Sequence, residues 1–265
     1  MTPLKVADIP LNTGTHVQSV GIGCWMGSSS ETNREEAYKT VSIALKAGYR
    51  YIDTAAGYNN EEMVSKAIKD SKIPRAELII QTKLNANSHH RVREAFEDSL
   101  KKLDCEYIDV YLMHWPTAKG PNGENTNLPF TEVYKEMEKL LGDGRCKANW
   151  NIKLQHQNDD GAARIGPLGQ YNSPILSDPV ITDIASSLDV TPGQVALAWG
   201  VQRGELNGTP AYETAFPQLP RLDDAAMKRI GELHREEGKF TRLCGSGAKS
   251  NTVMGWPLEK LGWEV

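Results

Sequence analysis

Four polar residues stand at or just after the ends of short apolar runs: Asp53 after Tyr51–Ile52, Tyr58 five residues on, Lys83 after LIIQT and His114 after VYLM. Their types make a chemical set. A tyrosine holds its proton too tightly to act as an acid at neutral pH, with an unperturbed pKa of about 10. A neighbouring ammonium favours the phenolate, and a buried aspartate would keep that ammonium in place. A histidine opposite could orient and polarise a carbonyl oxygen. Together the four would form a proton donor for an oxygen that becomes negative. Taken singly, each has a plainer reading: a strand-end Asp often only caps the next helix, and a strand-end Lys or His is often a polar rim residue. Finding all four in register on successive strand–helix units favours a site.

The elements that must position them are legible from periodicity. Residues 9–23 read as a hairpin, with Ile9–Leu11, a turn at Asn12-Thr13-Gly14 and a second strand from His16 to Gly21. A helix over Glu35–Ala47 puts Ala37, Val41, Ala44 and Leu45 on one face, and Gly48 stops it. Tyr49–Thr54 is a short strand. Glu61–Lys69 is helical with Met63, Val64, Ala67 and Ile68 inward, and Leu78–Lys83 is the next strand. Ser88 caps a helix to Leu103 that carries Val92, Phe96 and Leu100 at four-residue steps. Tyr107–His114 is a strand, a Pro/Gly/Asn-rich loop runs from Pro116 to Pro129, and Phe130–Leu141 is a helix with Val133, Met137 and Leu140 inward. Strand–helix alternation without further hairpins argues for parallel strands and crossover helices. In a parallel barrel all strand C-termini face one mouth.

The second half is less regular. Arg145–Ile165 is polar and aperiodic, with only a short strand or helix start at Trp150–Leu154. Helices are expected at Asp178–Leu188, at Thr191–Val201 with Thr191 as cap and Pro192 in the first turn, and at Asp223–Arg235. Between them Arg203–Pro220 offers no apolar run long enough for a buried strand. The tail from Lys239 is Gly/Ser-rich, and Trp256 and Trp263 suggest that it packs back on the body.

Composition narrows the function classes. A chain of 265 residues with net charge -4 and pI near 5.9 has no basic footprint for nucleic acid. No apolar run reaches the roughly 18 residues of a membrane span, so no membrane partner is expected. Residues 1–10 lack a signal-peptide pattern. Cys24, Cys105, Cys146 and Cys244 lie far apart with no C-x-x-C spacing, and His89–His90 has no helical partner at i+4. That argues against a metal site and fits reduced thiols in a cytoplasmic protein.

Longer stretches then carry a resemblance. GIGCWMG (21–27), AGYRYIDTAAGYNNEE (47–62), QTKL (81–84) and YIDVYLMHWP (107–116) resemble the signature stretches of aldo-keto reductases, as do GPLG (166–169) and TPGQVALAWGVQRG (191–204). The resemblance is dense from about residue 10 to 147. It implies an α/β fold, a (β/α)8 TIM-type barrel with an N-terminal hairpin, and NADPH-dependent reduction of an aldehyde or ketone. It implies Tyr58 as general acid, Lys83 and Asp53 as its activators, and His114 as the carbonyl-orienting residue. Trp25 and Trp115 match positions that line the substrate pocket, with packing in the barrel mouth as their alternative role.

The departures fall on the cofactor-binding half. Asn149 matches the Asn of a Ser-Asn pair that holds the nicotinamide amide, but Ala148 stands where Ser is expected. Pro167, Leu168 and Gly169 keep part of a Tyr-Ser-Pro-Leu-Gly turn, whose Tyr and Ser are replaced by Ile165 and Gly166. Only 18 positions separate Asn149 from Pro167, where a single βαβ unit needs about 30 residues. The segment after Gly204, GELNGTPAYETAFPQLP, has no lysine to grip a ribose phosphate.

The expectation is therefore one barrel domain over 1–265 with an incomplete second half: regular over 1–147, truncated or rearranged over 148–220, with a C-terminal helix and tail over 221–265. Bound NADP(H) would be held weakly or not at all. Two rival readings stay open: a cofactor-independent lyase or isomerase using the same Tyr/Lys/Asp/His set for proton transfer, and an inactive pseudoenzyme.

Overall fold

The computed structural model describes residues 8–11, 13–18, 20–27, 29–115, 117–150, 174–203, 207–209, 219–233, 252–253 and 256–257. Its frame is a parallel sheet. The strands are β3 (Val20–Gly23), β4 (Tyr51–Asp53), β5 (Ile79–Leu84), β6 (Ile108–Met113), β7 (Cys146–Trp150) and β8 (Asn207–Thr209). They lie in the order β7-β6-β5-β4-β3-β8, every pair parallel. The first and last of these strands in the chain are thus neighbours, as they are when a parallel sheet curls into a barrel. Six parallel strands of a (β/α)8-type barrel are present among the described residues. Ahead of them β1 (Asp8–Pro10) and β2 (His16–Gln18) form an antiparallel hairpin.

Alternation along each strand sends side chains to two opposite layers. Tyr51, Val110 and Ala148 point to the barrel interior, where Leu11 and Val17 of the hairpin join them, with Ile79 and Leu112 packed alongside. Ile22, Ile52, Ile80, Leu84, Tyr111 and Met113 point outward, into a larger core shared with the helices. These helices are α1 (Glu31–Lys46), α2 (Glu61–Ser71), α3 (Val92–Leu103), α4 (Phe130–Lys139), α5 (Pro179–Leu188), α6 (Pro192–Arg203) and α7 (Asp224–Glu232). Three of them bury the stripe that their sequence spacing dictates: Ala37, Val41, Ala44 and Leu45 on α1, Val92, Phe96 and Leu100 on α3, Val133 and Met137 on α4. A fully buried aliphatic side chain of this kind contributes about 1.5–3 kcal/mol.

Local chemistry fixes the helix starts. Asp178 and Asp223 accept the backbone N–H of Val180 and Ala226. Thr191 and Gln194 bond reciprocally, the Gln194 N–H to the Thr191 hydroxyl and the Thr191 N–H to Gln194 Oε1, a capping box.

The structure corrects four sequence expectations. The second hairpin strand ends at Gln18, and Val20–Gly23 is a separate strand that pairs with β4 rather than back into the hairpin. Ser88 does not cap α3: a 3-10 turn over Ala86–Arg91 intervenes, and the Asn85 side chain caps that turn instead. A strand occupies Cys146–Trp150, ahead of the expected start at residue 150, because its backbone completes the ladder on β6. Residues 207–209 form β8 without any apolar run, held by backbone pairing of Asn207-Gly208-Thr209 with Val20-Gly21-Ile22. In the tail, Thr252–Val253 and Trp256–Pro257 form a two-stranded antiparallel ribbon, and Trp263 lies outside the described residues.

Candidate active site

The site is assembled at the C-terminal ends of β4, β5 and β6. Register puts Asp53 beside Gln81 and Lys83 beside Leu112, so Asp53, Gln81 and Lys83 share the interior face. His114 follows β6, tied by its N–H to the Leu84 carbonyl at 3.1 Å. Tyr58 ends a 3-10 turn over Ala56–Tyr58, which exits through the left-handed Asn59 at φ 56°. The residues after that turn anchor it. Asn60 donates to the Cys24 carbonyl at 2.7 Å and accepts from the Thr54 hydroxyl at 2.8 Å. Glu61, buried at the start of α2, accepts from the Thr82 hydroxyl at 2.7 Å. The tyrosine's turn is thereby clamped to β4, β5 and the end of β3.

Lys83 is the hub. Its ammonium donates to Asp53 Oδ1, to the Thr54 carbonyl at 2.9 Å and towards the Tyr58 hydroxyl at 3.5 Å. The Tyr58 ring meets the His114 ring edge-on at 5.4 Å between centroids, and the Trp25 ring at 5.0 Å. His114 stacks on Trp115 at 5.8 Å. Trp25 is 39% exposed, unusual for so large an apolar side chain.

Electrostatics assign protonation states. Burial raises the Tyr58 pKa; the Lys83 charge opposes this without cancelling it, so the hydroxyl holds its proton at neutral pH. The ammonium that the sequence places beside Tyr58 is thus outweighed by burial. For Lys83, burial works against the charged form, but the Asp53 carboxylate and its hydrogen bond overcome it and the pKa is raised. Burial, helped by the Lys83 charge, pushes the His114 pKa down to about 3, leaving a neutral imidazole. The arrangement is a protonated phenol beside a fixed ammonium, with a neutral N–H donor across the pocket. Such a group can deliver a proton to an oxygen that gains negative charge and then stabilise the resulting phenolate.

The structure brings Asp53, Tyr58, Lys83 and His114 together, with Trp25 and Trp115 around them. It does not bring Asn149 there. Asn149 pairs with Tyr111 in the β6–β7 register, three residues short of His114, and lies on the outward face. Its buried amide donates to the Met137 carbonyl of α4 at 2.9 Å and accepts from the Tyr134 hydroxyl at 3.4 Å. The side chain is committed to holding α4. Pro167, Leu168 and Gly169 lie outside the described residues. No described residue proposed for the cofactor therefore faces the mouth.

Sequence reasoning missed several supporting groups, notably Asn60, Thr54 and the interior pair Tyr51 and Gln81. The alternation of Tyr51, Asp53 and of Gln81, Lys83 at i and i+2 was the available signal, since such residues share a strand face. Among the described residues no three His, Cys, Asp or Glu side chains gather as a metal site would need, and no helix is long and apolar enough to cross a membrane.

Comparison with known proteins identifies the family. The pattern of the Aldo/keto reductase family matches residues 19–149. Glycerol 2-dehydrogenase (NADP(+)) of Saccharomyces cerevisiae is 33% identical over 87% of this chain and 92% of its own length. Methylglyoxal reductase DkgA of Escherichia coli is 32% identical over 74% of this chain and 80% of its own. Among solved structures, a Bombyx mori aldo-keto reductase in complex with NADP superposes with TM-score 0.71 at 24% identity, covering 86% of this chain and 93% of that one. The chain belongs to the aldo/keto reductase family and is an oxidoreductase of that kind.

Proposed function

We propose that the chain reduces small aldehydes or ketones to alcohols with NADP(H), Tyr58 giving the proton. The observation that carries this reading is the convergence of Tyr58, Lys83, Asp53 and His114 on one mouth, with Tyr58 protonated and His114 neutral. A carbonyl oxygen set between the Tyr58 hydroxyl and the His114 ring would accept hydrogen bonds from both. As negative charge grows on that oxygen, the Tyr58 O–H bond breaks and its proton moves to the oxygen. Lys83 stabilises the phenolate left behind, and Asp53 keeps Lys83 charged and in place. Trp25 and Trp115 exclude water from the reacting side. NADP(H), when bound, supplies the hydride to the carbonyl carbon.

Relatives named as a glycerol 2-dehydrogenase and a methylglyoxal reductase favour small, polar carbonyl substrates. A relative and a structural neighbour named with NADP favour that cofactor. Pro167, Leu168 and Gly169 are the sequence candidates for holding it, while the Asn149 amide is engaged with Met137 and Tyr134 of α4. We place the protein in the cytoplasm and read residues 1–265 as one barrel domain. The cofactor-free proton-transfer reading and the inactive reading gain nothing from relatives named as reductases and dehydrogenases. The test is NADPH consumption by the purified protein with methylglyoxal and glyceraldehyde: turnover supports the reading, and no turnover at saturating cofactor refutes it.

A further inference from the structure

From the interior face of β4 and β5 we infer that Gln81 and Tyr51 are positioning residues, a buried relay that holds Asp53 against Lys83 and so sets the geometry of the Tyr58 proton donor. The proposal rests on the reductase reading for its catalytic consequence and on geometry for its existence.

Gln81 Nε2 donates to Asp53 Oδ1 at 2.7 Å, the same oxygen that receives the Lys83 ammonium. Gln81 Oε1 accepts the Tyr51 hydroxyl at 2.6 Å. The amide can face only one way. Turning it over would set Oε1 against a carboxylate that has no hydrogen to give. Tyr51 locks that orientation from the other side, and burial keeps its hydroxyl protonated and therefore a donor. Both side chains are buried, Tyr51 at 5% and Gln81 at 8% exposure, so water does not replace either bond freely. Room for the relay is built into β3: a Cβ on Gly21 would sit 2.9 Å from the Tyr51 ring, and only glycine lets the ring lie there.

The consequence is mechanical and electrostatic. Without Gln81, one oxygen of Asp53 loses its second donor and the carboxylate is free to rotate about its side-chain bonds. Lys83 then loses a fixed anchor, and its approach to Tyr58 loosens. Misplacement on the ångström scale at a reacting group costs up to about a hundredfold in rate. Gln81 and Tyr51 reach the reacting groups only through Asp53, so the loss belongs in kcat and not in KM.

The experiment compares Gln81→Leu, Gln81→Glu and Tyr51→Phe by steady-state kinetics against pH and by carbon-13 NMR of labelled aspartate, with the Asp53 carboxyl signal assigned by its disappearance in Asp53→Asn. Gln81→Leu is expected to lose about ten- to a hundredfold in kcat with KM within twofold, and to move the Asp53 signal. Tyr51→Phe shows the same pattern at smaller size. In Gln81→Glu two carboxyl groups share one proton, so the variant works at acid pH and loses activity as the pair ionises, at a lower pH than the loss of the Tyr58 proton that limits the parent. This arm decides if Gln81→Leu fails to fold. An unmoved Asp53 signal in the variants, or a Gln81→Glu pH profile that overlays the parent's, overturns the proposal. A moved Asp53 signal in a protein that turns over no carbonyl substrate leaves the relay standing and overturns the reductase reading alone.

Discussion

The Lys83 ammonium stands 3.5 Å from the Tyr58 hydroxyl while Asp53 and the Thr54 carbonyl take its other hydrogens. That separation exceeds the roughly 3.2 Å of a committed catalytic hydrogen bond. The loose contact suits a resting phenol. Once the proton leaves, the phenolate attracts the ammonium and the pair tightens, so the strongest interaction is reserved for the state in which charge has formed.

Lys83 and Asp53 should behave as one unit. Lys83→Met leaves a partly buried carboxylate facing Gln81 with no cation, and the cost is expected near 3 kcal/mol. Adding Asp53→Asn to that variant should recover much of the loss, since no charge then remains unpaired. Urea unfolding of the two single variants and the double variant measures the coupling. Losses that simply add would show that the pair is not coupled in the folded protein.

Acid should destabilise the fold before the carboxylates titrate. Burial pushes His114 to about 3 and His89 to about 4, below the ordinary value of 6.5. Both ring nitrogens of the buried His89 lack a hydrogen-bond partner among the described residues. The unfolded chain therefore binds more protons than the folded one between about pH 6.5 and 4, and stability must rise with pH across that window. The two histidines contribute fully above pH 6.5 and lose their contribution as pH falls towards their folded values. His89→Gln combined with His114→Gln should flatten the slope of unfolding free energy against pH. An unchanged slope would mean that neither histidine is buried in its neutral form.

Asn149 separates a structural from a cofactor role. Asn149→Ala should destabilise the protein by about 1–3 kcal/mol, because the Met137 carbonyl loses its donor in a buried site. NADPH affinity should stay unchanged. A weakened cofactor with unaltered stability would return Asn149 to the nicotinamide.

The two halves of the chain were unequally readable. The helices of the first half and the strands carrying Asp53, Lys83 and His114 follow from apolar spacing, because each buries one periodic stripe. The grouping of the four site residues follows as well, since parallel strands place their ends together. β8 was invisible because Asn207-Gly208-Thr209 has no hydrophobic pattern and is held by backbone ladder bonds. The direction of Asn149 was hidden for another reason. A motif match gives the residue type, whereas one position of register along β7 decides which face it occupies. Spacing puts Gln81 on the same face as Lys83, but its bond to Tyr51 crosses a strand pair, a contact that spacing within one strand does not reveal.

Cofactor affinity should be weak. The stretch after Gly204 lacks the expected lysine, and Ile165 and Gly166 replace a tyrosine and a serine. Each lost charge-assisted hydrogen bond removes about 1.5–3 kcal/mol, and about 1.4 kcal/mol is tenfold in affinity. Fluorescence titration should give an NADPH dissociation constant in the high micromolar range. Submicromolar binding would show that other residues have taken over the grip.

The most direct test of the account is NADPH-dependent reduction of methylglyoxal by the parent protein and by Tyr58→Phe, measured side by side at saturating cofactor. The variant loses one hydroxyl, keeps the ring that packs against Trp25 and His114, and should retain the circular-dichroism spectrum and unfolding midpoint of the parent. Loss of an aligned general acid typically costs about a hundred- to ten-thousandfold. The account predicts measurable turnover in the parent and a fall of that size in kcat for Tyr58→Phe. Equal rates in the two proteins would contradict it, because the proton would then come from a group other than Tyr58.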